Sequence, residues 1–519
     1  MSAPQGPHEK HKEQRGAAMK HRCAIAAMAL AAALAGCGGP AKQPPVLVVA
    51  GQGWPITLVP HGMPELFTMM VQSNIYEGLV EFDPRMRVSP LLAETWETPD
   101  PRTWVFRLRR GVTFHNGAPL TASDVVFSLK RAREDSGSSL RANFVQIESI
   151  EAVDGLTVRI TSRRPFPLLL YKLVSVFVVP MDAFTAMGPG KFDQSPVGTG
   201  PYYLKSYPAG GPLVLEAFSG YWGKRPGFGQ VRLVEAAGAD DIRRLLESGD
   251  QPTVVPLLDP AAARRLDDPG SSRYRIHRRS GLVLRYLGFR WAARPFDNPL
   301  VRQAMQLAVD RRDLVETVCH GYGIPANQSV PSTVFGHNDR LPPLPYDPKR
   351  ASELLAEAGH PRGLELTLVL PEQREAVGRR LQEHMRPAGI KLTLNLLSRE
   401  RFFRALDTAA FFYIGYGSSS GDASDLLDEA IHSRGGGYGI NNYGRYANPE
   451  VDRLIETSDT CFSQERRLGL IQQAMELVCR DVAMVPLYVE DQVSGATAGI
   501  AWTPRLDMMV LGKEVGFRP

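Results

Sequence analysis

Two hydrophobic periods alternate along the chain. Trp104, Phe106 and Leu108 fall on every second position, the pattern of a half-buried strand, and Val112 and Phe114 continue it past an Arg110-Gly111 turn. Thr121 and Asp124 have capping-box spacing and open a helix with Val125, Leu129 and Ala132 on one face. Asn298-Pro299 and Asp347-Pro348 each predict an N-cap and a first helical turn. The first of these helices carries Leu300, Ala304 and Ala308 on one face. The second carries Ala351, Leu354, Leu355 and Ala358 and stops at Gly359. Strands are predicted over 46–50, 364–370, 390–397 and 411–416, with helices over 372–388, around 402–406 and from near Asp422. Strands alternating with helices of this length imply parallel βαβ units. The fold class is therefore α/β, with several lobes and no internal repeat.

The amino-terminal pattern is different. Met19-Lys20-His21-Arg22 precedes an apolar run over 23–35, shorter than the roughly 20 residues of a membrane-spanning helix but suited to a signal-peptide core. It ends in Leu34-Ala35-Gly36-Cys37, which resembles a bacterial lipoprotein box. Residues 1–36 are thus expected to be a leader, Cys37 the lipidated residue and 37–45 a linker. An ordinary secretory signal with an incidental cysteine is the plainer alternative, and Met19 is a second candidate start. The apolar stretch 168–179 contains Lys172 and is bounded by Pro167 and Pro180, so it reads as buried core. An exported chain held to a bacterial membrane by lipid, outside the cytoplasm, is the expectation.

Composition narrows the classes. At roughly 150 residues per domain, 519 residues suggest three or four domains. A hydrophobic content of 43% supports buried cores. The net charge of +5, from 60 basic and 55 acidic residues, gives no nucleic-acid footprint, which needs basic residues gathered on one face. Beyond the leader, Cys319, Cys461 and Cys479 remain. Cys461 and Cys479 could pair, or all three could be buried thiols.

One motif raises enzymatic chemistry. Gly417-Ser418-Ser419-Ser420-Gly421 matches the Gly-x-Ser-x-Gly nucleophile elbow, so a secreted serine hydrolase using Ser419 is the rival reading. Only His432 follows Ser419, about ten residues on and on the next helix, where the general-base role is out of reach. His-Glu-x-x-His, Cys-x-x-Cys and phosphate-loop motifs are missing, and the histidines, His8, His11 and His21 in the leader among them, are scattered singly. No metal, cofactor or catalysis is expected. The serine turn instead offers a binding surface: a strand end opening into a helix N-terminus displays N–H groups suited to carboxylates or carbonyls. Ligands of open α/β sheets sit at such strand ends. The plainer reading is a hydroxyl-rich loop capping its own helix through Asp422.

Several segments carry a family resemblance. Ala93-Glu94-Thr95-Trp96, the run Trp104-Val105-Phe106-Arg107-Leu108 through Phe114-His115-Asn116-Gly117, Pro196-Val197-Gly198-Thr199-Gly200-Pro201-Tyr202, Tyr221-Trp222-Gly223, Tyr346-Asp347-Pro348 and Tyr446-Ala447-Asn448-Pro449 keep order and spacing over nearly the whole chain. They resemble extracellular solute-binding protein family 5, the peptide-, nickel- and opine-type binding subunits of bacterial ABC importers. The resemblance implies a two-lobed periplasmic-binding-protein fold of type II with an extra domain. Lobe I would comprise 46–80, 190–280 and 490–519, the extra domain 81–189 and lobe II 281–489, with hinges near 281 and 489. A monomer would close on an oligopeptide-like solute and pass it to a membrane permease; a sugar, opine or metal chelate is the alternative cargo.

The resemblance also bears on the ligand. Peptide binders of the family place an Asp for the peptide's α-ammonium after the strand equivalent to 411–416. Here that position falls on Ser419, with Asp422 matching the second acid, which disfavours free-amine dipeptides. Arg290 replaces a common Asn and, if it faces the cleft, favours an anionic group; otherwise it is a surface arginine. Trp54 and Tyr416 could cover ligand or fill core. The candidate ligand residues are therefore Trp54, Arg290, Tyr416, Gly417, Ser418, Ser419, Ser420 and Asp422. The family glycines and Trp96 and Trp104 are assigned to scaffold.

Overall fold

The computed structural model describes residues 45–62 and 65–518. The leader, Cys37 and nearly all of the 37–45 linker lie outside the described residues, as do His8, His11 and His21.

A mixed sheet of eleven strands forms the backbone of the molecule. Two long strands occupy its middle, Tyr274–Phe289 and Val485–Thr497, paired antiparallel, and the short strand Gly323–Pro325 pairs with the second of them. On one side of them lie Val46–Gly51, Thr253–Val255, Gln230–Glu235, Leu213–Ala217 and Tyr202–Ser206. On the other lie Phe411–Gly417, Leu364–Pro371 and Ile390–Leu397, the last three parallel to one another as the βαβ pattern requires. The helices between them differ in detail from expectation. The 372–388 segment divides into a 3-10 turn, an α-helix over Glu375–Met385 and a second 3-10 turn ending at Gly389, whose φ is +81°.

The middle strands also break their pairing. Ser280 opposes Asp491 and Leu284 opposes Val489, so Gly281, Leu282 and Val283 face Glu490 alone. Such a bulge sharpens twist and bends a ladder. It sits where the two strands pass from one group of sheet partners to the other.

A separate four-stranded antiparallel sheet, Ala93–Asp100, Thr103–Leu108, Thr157–Ser162 and Ile147–Asp154, is covered by the helix Ala122–Glu134. Trp104, Phe106 and Leu108 alternate inward as their period predicts, and Val125, Leu129 and Ala132 meet them in one core. The Thr121–Asp124 capping box forms in full. Asn298 and Asp347 cap their helices, each with Pro at the first turn. In the first of these the buried stripe runs through Val301, Ala304, Met305 and Ala308, with Leu300 only half-buried, because the helix packs one residue round from the predicted face. Glycine is needed at 198: a Cβ there would collide with the Ile75 carbonyl. Cys319 is buried, Cys461 and Cys479 are half-buried, and all three are free thiols.

Candidate functional site

The strand Phe411–Gly417 runs from buried aromatics to an open end. There the chain turns sharply: Ser418 N–H donates to the Leu282 carbonyl at 3.0 Å, and Gly421 N–H returns to the Ser418 carbonyl at 3.0 Å, with Gly421 at φ +72°. A single helical turn, Ser424–Leu426, follows and widens into a π-turn over Leu427–Ile431. Asp425 and Glu429 therefore stand about one turn apart, both on the wall of a cavity of about 660 Å³.

The amides at this turn are already occupied. Asp422 Oδ1 accepts from Ser424 N–H and Oγ at 2.9 Å each, and Asp425 Oδ2 accepts from Ser420 N–H at 2.8 Å and Ser419 Oγ at 3.4 Å. The expected display of free N–H groups for a ligand carboxylate is thus absent, because the chain supplies its own carboxylates. The Tyr416 hydroxyl lies 2.6 Å from the Asp425 carbonyl and 2.7 Å from Glu429 Oε2. Burial, and then the Glu429 charge, push its pKa far up. Burial likewise raises the Asp425 carboxyl, opposed by Lys172, whose ammonium is 3.8 Å away.

The rest of the wall comes from distant chain segments. Leu282 and Val283 of the bulge contribute, as do Tyr76 and Glu77 at the end of the first helix. Tyr171, Lys172, Val174 and Ser175 come from the apolar stretch 168–179, and Arg505 to Met509 with Lys513 from the carboxyl-terminal segment. Glu77 is sealed beneath Thr199, Tyr221 and Trp222, which donate to it at 2.8–3.0 Å; burial raises its pKa.

Of the sequence candidates, Tyr416, Gly417, Ser419 and Ser420 line this cavity. Four others do not. Ser418 is buried behind the turn, held by Leu282. Asp422 is wholly buried and spent on an ion pair with Arg467. Arg290 lies past the far end of the strand pair: Gly417 pairs with Val283 but Phe289 with Phe411, six residues or about 20 Å along the ladder. Its guanidinium bonds the Asp407 carbonyl. Trp54 donates its indole N–H to Glu235 at 2.8 Å and packs on Tyr207.

Asp425, Glu429 and Lys172 were missed. A lysine inside an apolar, proline-bounded stretch was the signal for Lys172, and acids at 425 and 429, four apart, were the signal for the other two. The triad partners of a nucleophilic serine do not assemble: Ser419 Oγ meets Asp425, whereas His432 bonds the Ser433 carbonyl at 2.7 Å and Glu456 at 3.3 Å.

Residues 87–438 match the family model described as bacterial extracellular solute-binding proteins, family 5. The chain belongs to this family. This family 5 protein is 28% identical over 493 residues to the glutathione-binding protein GsiB of Escherichia coli K12, covering 91% of this chain and 94% of that one. Its fold is similar to that of HbpA2 from Haemophilus parasuis, with a TM-score of 0.83, 24% identity and coverage of 91% and 100%. It is also similar to the ABC transporter-associated periplasmic binding protein DppA from Helicobacter pylori in complex with the peptide STSA, with a TM-score of 0.74, 22% identity and coverage of 91% and 98%. The family 5 chain thus has the two-lobed periplasmic binding fold, and among its described residues no helix is long and apolar enough to cross a membrane.

Proposed function

We propose that this solute-binding protein captures a peptide-like solute in the Tyr416–Asp425 cavity and hands it unaltered to an ABC permease. The observation that carries the reading is the cavity itself. At about 660 Å³ it lies within the roughly 300–1,000 Å³ of small-molecule sites, and its wall joins a larger apolar surface to eight charged side chains. The lobes would be 46–80 with 190–280 and 490–519, and 281–489, with 81–189 as the extra domain; the bulge at 281–283 is the natural hinge between them. Turning a 1:99 open-to-closed mixture into 99:1 takes about 5.5 kcal/mol of preference for the closed form. A micromolar ligand supplies about 8 kcal/mol in total, enough to drive closure. Lipidation at Cys37 would keep the monomer beside its permease on the outer side of the membrane.

The serine at the family's ammonium position does not leave the pocket without an acid. Asp425 brings a carboxylate to that same turn, 3.4 Å from Ser419 Oγ, and in this reading it takes the part of the missing acid towards a peptide's free amino terminus. Calorimetry of the purified protein against peptides of two to five residues tests the reading, with saturable micromolar binding expected. Binding of sugars or opines but of no peptide would replace it with the other cargo class.

A further inference from the structure

The charge arrangement of the cavity goes further than its shape. Five carboxylates reach its wall, Glu77, Glu81, Asp425, Glu429 and Asp507, against three cations. Two of those cations are already engaged by hydrogen bonds. Lys513 donates to Glu81 at 2.8 Å. Arg505 spreads its guanidinium over Asp507, Glu514 and the Phe82 carbonyl. Lys172, the third, lies 3.8 Å from Asp425 and makes no hydrogen bond among the described residues. An anionic ligand therefore finds one loosely held positive group, Lys172, and breaking either of the other ion pairs would leave a half-buried carboxylate behind.

Glu429 is in the opposite position. Its Oε2 accepts only from neutral donors, the Tyr416 hydroxyl at 2.7 Å and the Asn441 amide at 2.8 Å. Among the described residues it enters no ion pair, and its Oε1 has no hydrogen-bond partner, yet the side chain is half-buried on the cavity wall. A half-buried carboxylate held only by neutral groups is stabilised by a cation that arrives with the ligand.

Resting on the reading of this cavity as the solute site, we propose that Glu429 makes it selective for solutes with a positively charged group beyond the one that Asp425 holds. Basic peptides and polyamine-like cations fit; acidic peptides do not. Glutathione, with two carboxylates and one ammonium, falls in the disfavoured class, so the cargo differs in charge from the one that names the Escherichia coli relative.

Calorimetry with Ala-Lys-Ala, Ala-Glu-Ala and glutathione reads the preference. Ala-Lys-Ala is expected to bind at least tenfold more tightly than either of the others, and Glu429→Gln to cut the Lys-to-Glu ratio at least tenfold. Equal binding of the three by the unaltered protein overturns the proposal, as does a ratio unmoved in E429Q. If E429Q does not fold, the ranking by the unaltered protein decides alone. Thermal shift with 1,6-diaminohexane against adipate reads the same preference without a peptide: the diamine should raise the melting temperature and adipate should not. A diamine preference without peptide binding removes only the peptide reading, and peptide binding without a charge ranking removes only this one.

Discussion

Asp422 and Arg467 hold each other in a two-pronged ion pair, 2.6 Å and 2.7 Å between nitrogen and oxygen, with the carboxylate wholly shielded from solvent. Asp422 also caps the short helix through Ser424. The pair fixes the serine turn from behind and leaves nothing of Asp422 to the cavity. Breaking a buried pair strands an uncompensated charge and costs about 3–5 kcal/mol. Arg467→Met is therefore expected to lower the thermal midpoint by several degrees, while the protein still folded binds its solute with little change. A variant that kept its melting temperature and lost binding would put Asp422 in contact with ligand.

Asp425 should behave in the reverse way. A charge-assisted hydrogen bond contributes about 1.5–3 kcal/mol, so Asp425→Asn should weaken a free-amine peptide by roughly ten- to a hundredfold. The N-acetylated peptide should bind weakly to both proteins, giving a thermodynamic cycle whose coupling term isolates the ammonium contact; a zero coupling term would count against it. Burial raises the Asp425 carboxyl. Protonation therefore competes with the ligand cation at a higher pH than for a free aspartate, and affinity for amine ligands should fall as the solution is acidified.

Fold and site were legible in the sequence to different depths. Elements whose period survives burial could be read directly: the strand at 104–108, the caps at Asn298 and Asp347, and the parallel strands at 364, 390 and 411. The serine turn was found because its strand precedes it. The rest of the cavity was hidden because it is assembled from chain segments hundreds of residues apart, such as Lys172 with Asp425 and Glu81 with Lys513. Asp422 misled because a buried acid and a ligand-facing acid look alike in sequence; only its partner Arg467, 45 residues on, distinguishes them. Arg290 misled because register, set by pairing from Val283 to Phe289, decides which end of a strand a residue occupies.

Asp428 and Asp459 predict a pH dependence of stability. Asp459 is buried and Asp428 half-buried, each has a shielded Oδ1 without a hydrogen-bond partner, and Asp459 accepts from the Tyr438 hydroxyl at 2.8 Å. Burial is the main cause of both shifts: Asp428 is pushed well up, with the Asp459 charge adding to it, and Asp459 is raised to about 6. Arg467, Arg164 and Lys172 oppose the shifts, while Asp422 and Asp425 add to them. The folded chain thus holds protons that the unfolded chain has released. Its stability rises as pH falls through about 6 towards the unfolded carboxylate range, and is lost as pH rises. Asp459→Asn should flatten that slope by an amount on the order of 1–3 kcal/mol, read from denaturant unfolding at several pH values between 4.5 and 7.5. A slope unchanged by the substitution would refute the assignment.

Gly281 is expected to control closure. It opens the bulge where Gly281, Leu282 and Val283 face Glu490, and a Cβ on it would collide with the Glu490 carbonyl. Leu282 and Val283 line the cavity, and the Leu282 carbonyl anchors the serine turn. Bending of the paired strands is therefore coupled to the ligand surface. Gly281→Ala must push the strands apart, at about 1–3 kcal/mol of overpacking, and bias the angle between their two ends. The expected outcome is a weaker ligand affinity together with a smaller ligand-induced decrease in radius of gyration by X-ray scattering. Gly198→Ala serves as the control, since its collision is with the Ile75 carbonyl, away from the crossing strands. It should lose stability but contract on binding as the unaltered protein does. Equal contraction in the Gly281 variant would move the hinge elsewhere.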